Sequence, residues 1–224
     1  MDIQRCCRLI DWTNMPQASQ HSVAFLFIFF AVSASLMVRW DQLQDQAKIF
    51  KVQYITGKRA YHGLKYLSVS MPDGLQSFCL GPWEGCRHDC GILRLSNAMQ
   101  ILEDHFSHVS GSPSISLFGD MAFPSANNTI IPPWREWQLS DDPGRIAFNK
   151  IHKAVRVTVE WSFNKPLTLF ALLTRTRTQQ LLRSPVALQY KVSVLLSNAH
   201  TCLYGNQTST YFNMMPISIF EYFS

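Results

Sequence analysis

Residues 62–83 read HGLKYLSVSMPDGLQSFCLGPW. His62 to Met71 is rich in strand-forming residues, Pro72-Asp73-Gly74 supplies a turn, and Leu75 to Trp83 returns as a second extended run, so a β-hairpin is predicted here. Beyond it, Asp89 stands before GILRLSNAMQILEDHF, in which Ile92, Leu95, Met99, Leu102 and Phe106 recur at spacings of three and four. That period predicts one helix with Asp89 or Cys90 near its cap, ended by Gly111-Ser112-Pro113. Ser114 to Phe118 reads as a short apolar strand stopping at Gly119-Asp120, and Pro124 to Arg135 as a loop. A long helical pattern follows Pro143-Gly144, from Arg145 to Phe163, and Pro166 is expected to interrupt it. Pro185 opens a last apolar segment, Val186 to Ala199, read as a helix. Strands and helices interleave in this way in an α/β domain.

Composition agrees with one packed domain. The chain has 224 residues, a net charge of +5, 47% hydrophobic residues and only 16% charged ones, too apolar for a disordered tail. The mild basic excess permits a polyanionic partner without requiring one. Six cysteines, at 6, 7, 79, 86, 90 and 202, are too few and too irregular for a secreted disulfide scaffold and are expected to be reduced thiols.

Ser22 to Val38, SVAFLFIFFAVSASLMV, carries no charge. As a helix it would span roughly 25 Å, short of the ~30 Å hydrocarbon core of a bilayer. Its phenylalanines and valines equally suit a buried strand. Both readings, a membrane span and a buried strand, stay open at this point. They divide the chain into an atypical tail at 1–21, the apolar segment at 22–38 and a domain from 46 to 224.

Three acids are candidates for chemistry. Asp120 directly follows the strand and a glycine, so its carboxylate emerges at the carboxyl end of a strand, where α/β sheets place ligand sites; a turn aspartate is the alternative. Glu160 lies in KAVRVTVEWSF among residues that favour burial, with Arg156 four residues earlier as a natural helical ion-pair partner. If Glu160 instead points at the same site as Asp120, the two carboxylates suit Mg²⁺ or Mn²⁺. Asp89, in GCRHDCG, is a natural N-cap. Cys86, His88 and Cys90 lack the fourth ligand of a structural zinc site. No Walker-type loop, G-x-S-x-G elbow or G-x-G-x-x-G turn is present, which removes the common nucleotide, hydrolase and dinucleotide classes.

The ordered blocks GKRAYHGLKYLSVSMPDG, GPWEGCRHDCGIL, LFGDMAFP, FNKIHKAVRVTVEWSF and LLSNAHTCLYGNQTS closely resemble the PIF/Harbinger group of transposase-derived endonucleases in the DDE superfamily. The resemblance covers about two thirds of the chain, from Gly57 to Phe212. It implies an RNase H-like fold, a mixed sheet flanked by helices, with an Asp-Asp-Glu set binding two divalent metals for cleavage of DNA phosphodiesters. The family's second acid falls on Asp120, in Gly119-Asp120-Met121-Ala122-Phe123-Pro124, and its third on Glu160, in Val159-Glu160-Trp161-Ser162-Phe163. Asp89, in His88-Asp89-Cys90-Gly91, is site-adjacent and a supporting metal ligand.

The chain departs from the family pattern in its N-terminal part. The Phe-Ile-Asp-Gly-Thr block that carries the first acid is missing, and alignment on Arg39 puts that acid near Ala31, inside the apolar run. Residues 1–53 therefore read as replaced or truncated. Two functions follow as expectations: a metal-dependent DNA endonuclease with Asp120 and Glu160 as catalytic ligands, or an inactive transposon remnant that binds nucleic acid or protein weakly. Lys58, Arg59, Lys65 and Arg87, near the hairpin, are candidates for non-specific contact with the DNA backbone. Because no helix-turn-helix is apparent, a separate DNA-binding partner protein would supply sequence reading. The family implies the nucleus; the apolar run offers membrane association as the alternative.

Overall fold

The computed structural model describes residues 27–32, 36–37, 55–56, 59–107, 116–123, 130–139, 142–174 and 184–224. Seven strands lie among these residues: β1 Phe27–Val32, β2 Leu36–Met37, β3 Ile55–Thr56, β4 Arg59–Ser70, β5 Gln76–Glu84, β6 Ser116–Phe118 and β7 Ile130–Ile131. Across the centre they run β5-β4-β1-β6-β7, with β2 and β3 paired antiparallel to the start of β4. The β4–β5 pair is the expected hairpin. Its turn places Gly74 at φ +88, where a Cβ would come within 2.1 Å of Asn206 Oδ1; glycine meets both demands.

Six residues of the apolar run form β1, which pairs antiparallel with β4 on one side and parallel with β6 on the other. An inner strand paired on both edges accounts for this charge-free sequence. No helix among the described residues is long and apolar enough to cross a membrane.

The helices are α1 Asp89–Leu95, α2 Ala98–Ser107, α3 Glu136–Leu139, α4 Pro143–Leu169, α5 Val186–Tyr204, α6 Gln207–Tyr211 and α7 Ile219–Tyr222. They cover both faces of the sheet. Alternation along β4 sends Leu67 and Val69 to one face, where they pack with Ile92, Leu93, Ala98, Leu117 and Ile130. Leu64 and Tyr66 go to the other, with Phe118, Val159, Phe163, Val194 and Tyr190. The Tyr66 and Tyr190 rings are fully buried with centroids 4.4 Å apart. The result is a mixed α/β domain with its sheet between helical layers.

Two expectations are corrected. The helix predicted through residues 91–106 breaks into α1 and α2 at Asn97, which adopts φ 52, a left-handed conformation that asparagine tolerates. α4 does not stop before Pro166 but runs through it to Leu169. Proline removes the N–H that would bond the Ser162 carbonyl, and Gln76 Nε2 donates to that carbonyl instead at 2.7 Å. The helix starts two residues before the predicted Arg145, with Pro143 and Gly144 inside its first turn and Asp142 Oδ1 accepting from the Gly144 and Arg145 amides.

Candidate active site at the carboxyl ends of the parallel strands

β1, β6 and β7 are parallel, so their carboxyl ends open on the same side of the sheet. Phe29 pairs with Phe118; counting two residues further reaches Ala31 on β1 and Asp120 after β6. Asp120 thus leaves the end of its strand as the sequence predicts. Gly119 is required beside it, because a Cβ there would lie 2.5 Å from Ile130 Cγ2 on β7. Its amide continues the ladder by donating to Ile131 O at 3.1 Å.

Helix α4 is fastened over this end by a stripe of side chains spaced three and four apart. Asn149 accepts from the Trp134 amide at 2.9 Å and donates to the Trp134 carbonyl at 2.8 Å. His152 Nε2 lies 3.2 Å from Ile131 O, and its ring meets Phe118 edge-on with centroids 5.1 Å apart. Burial holds the His152 imidazole below its ordinary pKa, so it is neutral at pH 7 and donates to that carbonyl. Arg156 Nη1 donates to Asp120 Oδ1 at 2.6 Å. Glu160, exposed, comes one turn later on the same stripe. Asn149 and His152 stand in no site motif, and the 149-152-156-160 spacing is the one signal in the sequence that marks them.

Arg156 therefore pairs with Asp120, not with Glu160 four residues along. Both partners of the pair are about one-third exposed. Asp120 Oδ1 also accepts from the Met121 amide at 2.6 Å, and Asp120 O from the Phe123 amide at 2.9 Å, so the residue is both a turn aspartate and a site carboxylate. Glu160 has no ion-pair partner among the described residues. Lys153 precedes it by seven residues on the same helical face and is exposed, with exposed Lys150 one turn earlier.

Asp89 is the first residue of α1 and not its cap; His88 takes that position. The Asp89 carboxylate accepts from Lys65 Nζ at 3.0 Å, and Lys65 also donates to Arg87 O at 2.7 Å. Lys65 is thus turned to the protein. Arg87 pairs with Glu84 and lies over the Trp83 ring, 5.7 Å from its centroid. Lys58 and the side chain of Arg59 lie outside the described residues.

A two-metal centre needs several carboxylates free to ligate. Among the described residues the donors do not assemble one: Asp120 holds a guanidinium, Asp89 an ammonium, and two residues beyond Phe29 on β1 stands an alanine. No group of three His, Cys, Asp or Glu residues that could hold a metal occurs among the described residues. The described cysteines, 79, 86, 90 and 202, are free.

A family model described as DDE superfamily endonuclease matches residues 42–198, more than two thirds of the chain. No curated protein and no solved structure matches. The matched span includes Asp120, Arg156 and Glu160, and endonucleases of this kind use divalent metals. By this match the chain belongs to the DDE superfamily of endonucleases.

Proposed function

We propose that the chain is a degenerate DDE endonuclease domain of PIF/Harbinger type, which grips the phosphate backbone of DNA without cutting it. The observation that carries this reading is the strand register: Phe29 pairs with Phe118, and two residues further on stand Ala31, with no ligating atom, and Asp120. The pairing of Asp120 with Arg156 supports it further. A guanidinium already neutralises the carboxylate that a metal would need, and loss of one acid lowers the negative charge that attracts the ion. The strand order β5-β4-β1-β6-β7, three antiparallel strands followed by parallel ones, supports an RNase H-like fold. The nucleus is the compartment this reading implies.

The backbone contact is assigned to the exposed residues Lys150 and Lys153, which precede Arg156 on α4 by six and three positions. Each phosphate neutralised releases counterions, so affinity falls with salt at a slope set by the number of contacts. Fluorescence anisotropy of a labelled duplex against salt tests this. Changing both lysines to alanine is expected to reduce the slope by about 2, and incubation with Mg²⁺ or Mn²⁺ is expected to leave the duplex intact. An unchanged slope, or metal-dependent cleavage, would overturn the reading.

One observation favours a second reading, an active nuclease. Arg156 on α4 pairs with Asp120, and Glu160 follows Arg156 by one helical turn, a spacing compatible with a site shared by the two acids. That reading requires Mn²⁺-dependent cleavage lost on Asp120→Asn.

A further inference from the structure

Between the second half of α4 and the turn joining α5 to α6 lies a cavity of about 450 Å³, within the range of small-molecule sites. Its lining includes Trp161, Asn164, Lys165, His200 and Asn206, and no carboxylate. Lys165 Nζ donates to Thr201 Oγ1 at 2.6 Å and to Gly205 O at 3.4 Å. No carboxylate among the described residues pairs with it. An ammonium has three protons to donate, so one remains for a ligand. His200 Nδ1 is buried and has no hydrogen-bond partner among the described residues, although buried polar atoms are normally satisfied. Trp161 presents an indole wall, steadied by Tyr211 edge-on with centroids 5.9 Å apart.

A half-buried cation with no carboxylate partner among the described residues calls for an anion, and an indole wall for a flat ring. We propose that this cavity is a binding site for a nucleoside monophosphate unit, its phosphate on Lys165 and its base against Trp161. Free nucleotide and an unpaired nucleotide of a strand share this chemistry. The proposal shares no residue with the Asp120–Arg156 pair and does not depend on the function proposed above. Burial lowers the Lys165 pKa to about 8, so the ammonium is the main form at pH 7 and is mostly lost by pH 9.

Isothermal titration of the full chain with deoxyadenosine 5′-monophosphate, deoxyadenosine and inorganic phosphate tests the proposal. The nucleotide is expected to bind about tenfold or more tightly than either fragment. Lys165→Met is expected to reduce the nucleotide to the level of the nucleoside, and Trp161→Leu to weaken nucleotide and nucleoside alike by about tenfold. Exposed Lys191→Ala serves as a control and is expected to change nothing. Raising the pH from 7 to 9 is expected to weaken nucleotide binding in the unaltered chain, a readout that needs no variant to fold. A single-stranded tetranucleotide of deoxyadenosine that competes through Lys165 would identify the source as a strand; failure to compete would identify free nucleotide. Equal binding of nucleotide and nucleoside, no nucleotide binding at millimolar concentration, or a flat pH response would overturn the proposal.

Discussion

At the hairpin end of the sheet, helices α5 and α6 are held by amides; at the carboxyl ends of β1 and β6, helix α4 is held partly by full charges. Asn198 Oδ1 accepts from the Gln76 amide at 3.0 Å while its Nδ2 donates to the Gln76 carbonyl at 2.9 Å, so a side chain closes the ladder where β5 begins. Asn206 Nδ2 donates to Gly74 O at 2.8 Å and its Oδ1 accepts from the Ser209 amide at 2.8 Å. Asn198 is buried and carries no net charge, so its contribution is structural. The Asp120–Arg156 pair is partly open to water and couples two charges, an arrangement that adds little stability but controls what else the carboxylate can bind. Residues from the same set of family-like blocks therefore serve opposite ends: LLSNAHTCLYGNQTS builds the scaffold, while LFGDMAFP and VRVTVEWSF build the site.

The contrast predicts large stability effects at the amide end and small ones at the charged end. Asn198→Ala leaves a buried N–H and carbonyl of Gln76 without partners and is expected to destabilise by about 3 kcal/mol, measured by urea unfolding. A loss below about 1 kcal/mol would show that water replaces the amide. Gly74→Ala introduces a side chain at positive φ and against Asn206, for an expected cost of about 2 kcal/mol; Asn206→Gly in the same background is expected to recover part of it, since the clash is then gone.

At the charged end, Arg156→Met is expected to change stability by no more than about 1 kcal/mol. Its larger consequence is to free Asp120, so Mn²⁺ affinity measured by calorimetry is expected to rise. A destabilisation matching that of Asn198→Ala would erase the distinction between the two ends.

His152 gives the smallest effect. Its folded-state pKa lies below the ordinary value, with burial as the main cause; Arg156 acts in the same direction, while Ile131 O and Asp120 oppose it. The unfolded chain therefore binds the proton more readily, and this residue's contribution to stability is present above about pH 6.5 and lost as pH falls below it. The urea midpoint is expected to drop between pH 7.5 and 5.5, and His152→Gln to flatten that part of the profile. An equal drop in the variant would assign the dependence to other groups.

Local turn chemistry made the hairpin legible and the start of α4 legible to within two residues, because Pro72-Asp73-Gly74 and Pro143-Gly144 act on their own backbone. Elements decided by distant partners were less legible. Pro166 reads locally as a stop, and Gln76, ninety residues earlier in sequence, supplies the missing donor. Arg156 reads locally as a partner for Glu160, and the fold offers it Asp120 instead. The apolar run from Ser22 to Val38 has a composition suited to a span or a strand, and only its pairing with β4 and β6 decides for Phe27–Val32. Asp120 was legible as a strand-end acid; its engagement by Arg156, which weighs against a metal there, was not.

The central proposal is that the described residues of this family member do not assemble a metal centre, with Ala31 standing two residues beyond the Phe29–Phe118 pair where Asp120 follows β6. Calorimetric titration of Mn²⁺ into the unaltered chain and into Ala31→Asp tests it most directly. The account predicts no specific binding to the unaltered chain and measurable binding once the carboxylate is supplied. Specific Mn²⁺ binding by the unaltered chain that is lost on Asp120→Asn and Glu160→Gln would contradict it.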